Sequence, residues 1–162
     1  MKFFVQWIHS STNDIWNQFF NGYNPTNHTT DTVLVSQTGN FHVHDVLFTN
    51  HKTQLIKLTN NDNNRLLISN SVFNSNQGIY SNGGNIRQNK GQIVQYRICS
   101  INIIINNYAY SRSYIMTTED QACKNYLIKS SITGSQGKEG LTGIFMMNIY
   151  YQVAIFANFN FK

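Results

Sequence analysis

His42-Val43-His44-Asp45-Val46-Leu47-Phe48 can be laid over Leu67-Ile68-Ser69-Asn70-Ser71-Val72-Phe73 at an offset of 25. The shared frame is an apolar residue, three mostly polar ones, then a second apolar residue. It recurs at Val94-Gln95-Tyr96-Arg97-Ile98-Cys99 after a further 26, and at Ile128-Lys129-Ser130-Ser131-Ile132-Thr133 after 34. A weaker fifth copy, Ile155 to Phe159, follows after another 27. Alternation within the copies, as in Phe41-x-Val43-x-Asp45 and Leu66-x-Ile68-x-Asn70, fits strands better than helices, and the flanks are rich in Asn, Ser and Gly.

A fixed period of this length suits one coil of a solenoid, being too long for a hairpin and too short for a βαβ unit. In a parallel β-helix each coil supplies two or three short strands that pair with equivalents above and below. Gln54 to Leu58 and Gly78-Ile79-Tyr80 are candidates for second strands. The expected fold is therefore all-β, a right-handed parallel β-helix of about five or six coils. Val43, Ile68, Val94 and Ile128 are expected in one inward column, and Leu47, Val72, Ile98 and Ile132 in another. A leucine-rich repeat lacks its leucine frame here; a β-sandwich is the competing architecture, because its strands also recur regularly.

Residues 1–30 do not carry the repeat, which is assigned to 31–162. Asp14 to Phe20 reads as a short amphipathic helix capped at Asn13, so this segment is expected to be a cap on the solenoid or a tail. About five or six coils with one uncertain cap also suit a piece of something longer.

Polarity in this chain comes from amides: 24 of 162 residues are asparagine, while charged residues make up only 12%. Asparagine is poor in helix interiors but tolerates the left-handed conformation of tight turns, which suits many short strands with sharp corners. An AT-rich coding sequence would raise Asn, Ile, Lys, Tyr and Phe together without any structural cause. Hydrophobic residues at 41% and aromatics at 14% argue against disorder. The net charge of +5 is dispersed, with Lys52, Lys57, Arg65, Arg87, Lys90, Arg97, Arg112, Lys124 and Lys129 standing singly, so no nucleic-acid partner is expected. The apolar stretch Ile144 to Phe161 is interrupted by Asn148, Gln152, Asn158 and Asn160, which speaks against a membrane span. Phe3 to Ile8 is too short for a secretory signal.

Phe73-Asn74-Ser75-Asn76 is followed by Gly83-Gly84-Asn85-Ile86. This resembles the paired F-x-x-N and G-G-x-I motifs of polymorphic-membrane-protein-like right-handed β-helix proteins. Val94 to Cys99, Lys124 to Ile128 and Ser130-Ser131-Ile132 look more narrowly like the trichomonad surface branch of that family, over residues 41–135. The resemblance implies that Phe73 stacks inside while Asn76 turns the chain, and that the glycine pair makes a corner. It departs at Asn85, where the family usually has a small apolar residue, and at Phe48-Thr49-Asn50-His51, where the Asn comes one position early. It implies adhesion or display at a cell surface or after secretion, and it brings no catalytic residue.

Polysaccharide lyases and hydrolases built on β-helices need paired carboxylates. Only seven acids are available, Asp14, Asp31, Asp45, Asp62, Glu119, Asp120 and Glu139, and Glu119-Asp120 reads as a solvated loop between copies. His42-x-His44, with His51 returning nearby, has the spacing of a zinc or copper site, yet two histidines on the outer side of an inward Val43 more simply face solvent. Cys99 and Cys123 are separated by almost one coil; a buried free thiol at Cys99 is preferred over a disulfide. The single sequon Asn27-His28-Thr29 gives no support to glycosylation in a chain so rich in Asn, Ser and Thr. Phosphate-loop, nucleophile-elbow and H-E-x-x-H signatures do not occur.

No catalytic, cofactor-binding or metal residue is assigned. The expected function is a non-enzymatic display or adhesion module binding a protein or glycan, as a monomer or part of a longer solenoid. The alternative is a carbohydrate-active β-helix enzyme or its inactive descendant, with Asp45, His42 and His44 as its centre and Tyr96, Tyr108, Tyr110 and Tyr114 as sugar-stacking surfaces.

Overall fold

A computed structural model of the chain describes residues 12–59, 61–78, 85–88, 90–105, 113–117, 124–133, 136–137, 145–149, 154–157 and 160–161. A helix, α1 (Thr12–Phe20), precedes a short strand, β1 (Thr26–His28). The first coil holds β2 (Leu34–Gln37), β3 (Asn40–His44) and β4 (Leu47–Thr49). The second holds β5 (Ile56–Leu58), β6 (Arg65–Ser69), β7 (Val72–Asn74) and β8 (Gln77–Gly78). The third holds β9 (Ile86–Gln88), β10 (Gln92–Tyr96), β11 (Cys99–Ile101) and β12 (Ile104–Ile105). The fourth holds β13 (Ser113–Thr117), β14 (Asn125–Ile128), β15 (Ser131–Thr133) and β16 (Gln136–Gly137). The fifth holds β17 (Phe145–Ile149), β18 (Ala154–Ala157) and β19 (Asn160–Phe161).

Equivalent strands of successive coils pair in parallel, which makes the chain a right-handed parallel β-helix. The first sheet runs β1-β3-β6-β10-β14-β18, the second β4-β7-β11-β15-β19 and the third β2-β5-β9-β13-β17; a short sheet, β8-β12-β16, lies beyond the second. Such short strands would be marginal in isolation, but here each backbone row bonds to the coil above and the coil below. β1 extends the first sheet by one row, placing Asn27 beside His42.

Register decides which residues form the interior. Val43 pairs with Ile68 and Phe41 with Leu66, as an offset of 25 requires. Ile68 then pairs with Gln95, and Gln95 with Leu127, so the next two steps are longer, 27 and then 32. Val94 and Ile128 are therefore displaced from the expected inward column: Val94 aligns with Leu67 and Tyr126, and Ile128 with Tyr96, all on the outer face. The second expected column is corrected at Leu47 and Val72, while Ile98 and Ile132 do lie inside. Leu47 and Val72 pair with Cys99 and Ser131 and point outward, with Leu47 54% exposed, whereas Phe48, Phe73, Ser100 and Ile132 form the inward row. A one-residue slip exchanges the faces of a strand, and runs such as Ile93-Val94 and Leu127-Ile128 do not betray it because both faces are apolar.

The interior packs Leu34, Phe41, Val43, Phe48, Leu55, Ile56, Leu58, Leu66, Ile68, Phe73, Ile86 and Ile93 into one cluster, with the Phe48 and Phe73 rings stacked at 5.0 Å. Phe73 thus stacks inside, as the F-x-x-N reading implies. Asn76 is buried: its Nδ2 donates to Phe48 O at 3.0 Å and its Oδ1 accepts from His51 N at 2.9 Å. The left-handed residue of that corner is Ser75 instead.

The corners stack as well. Between the first and second sheets, Asp45, Asn70, Arg97 and Lys129 all adopt positive φ, and after the second sheet so do Asn50, Ser75 and Asn102. Asparagine fills three of these seven places and aspartate a fourth; at Ser75, Arg97 and Lys129 stacking imposes the conformation against the residue's own preference. Next to the first of these columns, Ser71 Oγ accepts from Val46 N at 3.3 Å and donates to Ser69 O, and Ser130 Oγ does the same for Ile98 N and Ile128 O. Gly91 has φ +94, and a Cβ there would lie 2.3 Å from Asn64 O of the coil before, so the close approach of those two coils requires glycine.

Candidate functional site

Helix α1 begins at Thr12, which puts Asn13 in its first turn and not at its cap. Ile15, Trp16, Phe19 and Phe20 recur at helical spacing and form one apolar face, while Asn17 and Gln18 are exposed. That face packs on the outer side of the first sheet, against Leu67, Val94 and Tyr96, with Tyr126 and Ile128 at its border. Phe19 lies 5.9 Å from the Tyr96 ring and 6.4 Å from the Tyr126 ring. Lys124 donates its Nζ to Phe19 O, a cation on the free carbonyls of the helix end. The chain leaves through Gly22 at φ +86, and the Trp16 indole then donates to Tyr23 O while the Arg65 guanidinium sits 3.5 Å over the Tyr23 ring.

His42 lies under this helix with His44 beside it, and neither is on the solvated face expected for them. Both do point away from the interior, since Phe41 and Val43 point in, but His42 is 0% exposed and His44 is buried. The Trp16 ring stands 6.0 Å from the His42 ring, and the two imidazoles are 4.5 Å apart. His42 Nε2 shares a 2.8 Å hydrogen bond with Ser69 Oγ, and its buried Nδ1 has no partner. Burial, then the neighbouring His44, lowers the His42 pKa to about 4 against the opposing pull of Asp45. His44 Nδ1 donates to Asp45 Oδ2 at 2.9 Å.

His51 does not join them. Its Nε2 meets Asp31 Oδ1 at 2.6 Å and its ring lies against Phe48, on the corner beyond β4. Among the described residues no group of three or more His, Cys, Asp or Glu side chains converges to hold a metal ion. Tyr96 is not a sugar platform, because Phe19 covers it and Arg97 and Lys129 approach its ring at 5.1 and 5.6 Å. Tyr108, Tyr110, Glu119, Asp120 and Cys123 lie outside the described residues, as does the side chain of Tyr114. Cys99 is free and only half-buried, correcting the buried position expected for it; it sits on the outward side of β11 near Ser131 Oγ at 3.5 Å.

The helix-covered sheet contrasts with the second sheet, whose outward row is Leu47, Val72, Cys99 and Ser131 beside Thr49, Asn74, Ile101 and Thr133. None of these side chains carries a charge, and they repeat at the strand spacing of about 4.8 Å. Beyond the adjoining corner a shallow depression is lined by Asn50, Lys52, Ser75, Gln77 and Ile104. Sequence reasoning missed the burial of the first sheet's outer face. The signal was present in the unbroken apolar runs Leu66-Leu67-Ile68 and Ile93-Val94, which mark a strand covered on both sides.

No family model, curated protein or solved structure matches this chain. Within the described residues no helix is long and apolar enough to cross a membrane, and the stretch Ile144 to Phe161 contains β17, β18 and β19.

Proposed function

We propose that this β-helix is a non-enzymatic display or adhesion module, at a cell surface or secreted, that binds a protein or glycan along its second sheet. The uncharged outward row from Leu47 to Ser131 and from Thr49 to Thr133 supports this reading. Hydroxyl, amide and apolar groups on a regular stack of rungs can follow an extended partner with little loss of side-chain entropy, because β-branched residues are already fixed. The kinship with polymorphic-membrane-protein-like surface proteins, argued from Phe73-Asn74-Ser75-Asn76 and Gly83-Gly84-Asn85-Ile86, belongs to the same proposal.

The closure of His42 beneath Trp16 weighs against the carbohydrate-active alternative centred on Asp45, His42 and His44. Glycan-array and cell-binding assays on the whole chain should give saturable binding that Val72→Lys removes without shifting the melting curve. Silence in both assays at high concentration rejects the module reading. Reducing-sugar release from a polysaccharide panel, abolished by Asp45→Ala, rejects its non-enzymatic part.

A further inference from the structure

We propose that helix α1 is an acid-released latch: protonation of His42 undocks it and uncovers the aromatic and aliphatic outer face of the first sheet. A helix this short does not hold together alone in water, so α1 depends on its contact with Leu67, Val94 and Tyr96. The same contact covers a titratable group. His42 is wholly buried between Trp16 and the sheet, and its Nδ1 has no partner. As a cation it would carry an N–H at both ring nitrogens and bury one of them without an acceptor.

The surroundings give that charge little compensation. On its own strand His42 meets His44, itself bonded to Asp45, whose side chain is 43% exposed. From β6 come the uncharged Leu67 and Ser69, with the Arg65 guanidinium turned onto Tyr23. β1 supplies Asn27 opposite His42, and the neighbouring His28 bonds to Thr32. Residues 15–20 of α1 contain no titratable side chain, and the cation at the far end of the helix, Lys124, adds like charge. Further along the sheet, Arg97 and Lys129 flank Tyr96. Among the described side chains of this set Asp45 is the one carboxylate, and its hydrogen bond is to His44.

The direction follows from the proton count. The docked state holds His42 neutral down to about pH 4, against 6.5 for an unperturbed histidine, and undocking removes the share of that lowering that comes from burial under α1 while His44 stays beside it. Docking is at full strength above about pH 6.5 and weakens as pH falls through that window. The whole interval corresponds to about 300-fold in the ratio of undocked to docked chain, an upper bound because His44 stays beside His42 in both states. Such a local opening leaves the coils paired.

The test uses the full chain carrying Trp7→Phe, so that Trp16 is its only indole. Between pH 7.5 and 4.5 its emission should shift reversibly to the red, while hydrogen exchange shows residues 12–20 losing protection and the amides of β6 and β10 keeping theirs. His42→Gln, added to that chain, should hold the emission at its neutral-pH position throughout. An unchanged emission overturns the proposal. So does a shift retained in His42→Gln, or loss of strand protection in the same step. The exchange measurement can be made on the unaltered chain, which keeps the proposal exposed to refutation should His42→Gln fail to fold.

Discussion

The first two coils and the two that follow are built on the same backbone but filled differently. Their inward rows read Phe41, Leu66, Ile93, Asn125; then Val43, Ile68, Gln95, Leu127; then Phe48, Phe73, Ser100, Ile132. The first two coils contribute only apolar side chains to these rows. The next two contribute Gln95, Ser100 and Asn125, and Gln88 stands beside Leu58, all four essentially unexposed. A continuous oily interior is therefore not what keeps the rungs in register. Parallel ladders and the stacked left-handed corners run unbroken across the change of filling, so the architecture outlasts the hydrophobicity that reveals it.

The largest effect should come from opening a hole in the apolar half. Phe73 is wholly buried with its ring on Phe48, so Phe73→Ala should cost about 3–5 kcal/mol by urea denaturation. Ser100→Ala, one row along at the same inward position, removes no packed ring and should leave stability within about 1 kcal/mol. Equal losses at the two sites would erase the distinction between the halves.

Acid should separate them from another side. In the apolar half the vulnerable polar group is His42, outside the core and beneath α1. Its neutral form is favoured in the docked chain, so helix docking should lose at most about 3 kcal/mol as pH falls from 6.5 to about 4, less the share of the lowering that His44 exerts in both states. Gln88, Gln95, Ser100 and Asn125 do not titrate, so amide exchange in β10 and β11 should not follow that curve. Coincident pH profiles for α1 and for those strands would show that the whole solenoid responds as one unit.

Gly91 joins the two regions. Gly91→Ala must place a methyl against Asn64 O and hold a left-handed φ, and it should cost about 1–3 kcal/mol in a thermal melt. Gly22→Ala meets open space and bears only the backbone cost. If both variants melt alike, the close approach of the second and third coils is not a constraint.

The apolar half is where the first inward column could be read, although Leu47 and Val72 of the same two coils point outward. Its two coils keep the offset seen in the sequence, so Val43 and Ile68 align on simple superposition. The step from Ile68 to Gln95 is longer, and an inward Gln95 next to an outward Val94 inverts the binary pattern on which register is judged. The amphipathic face of α1 could likewise be seen at Ile15, Trp16, Phe19 and Phe20, but not the surface that receives it. That surface depends on which of Leu66, Leu67 and Ile68 point outward. The candidate site shows the same limit. Counting outward from Val43 gave the correct face for His42 and His44, yet solvation was assigned to a face that Trp16 and its neighbours, from earlier in the chain, cover. Asparagine-rich corners were legible only in general, at what prove to be Asn50, Asn70 and Asn102, while the residue singled out as a turn, Asn76, stands next to the left-handed Ser75. Corners were hidden at Arg97 and Lys129, where neighbouring coils dictate the conformation.

The smallest effect bears most directly on why a polar filling is tolerated. Ser100 is buried between Phe73 and Ile132 in its row, and its Oγ has no hydrogen-bond partner. A hydroxyl without a partner contributes nothing there and loses its hydration, whereas a β-branched apolar side chain suits both the strand and its two neighbours. Ser100→Val should therefore raise stability by about 1 kcal/mol, offset in part by one additional carbon in a packed interior. A higher denaturation midpoint at unchanged m would mean that the polar interior is carried by the ladders around it. A drop of similar size would mean that the hydroxyl is engaged, and that the third coil is held by a polar network in place of the oily contacts of the first two.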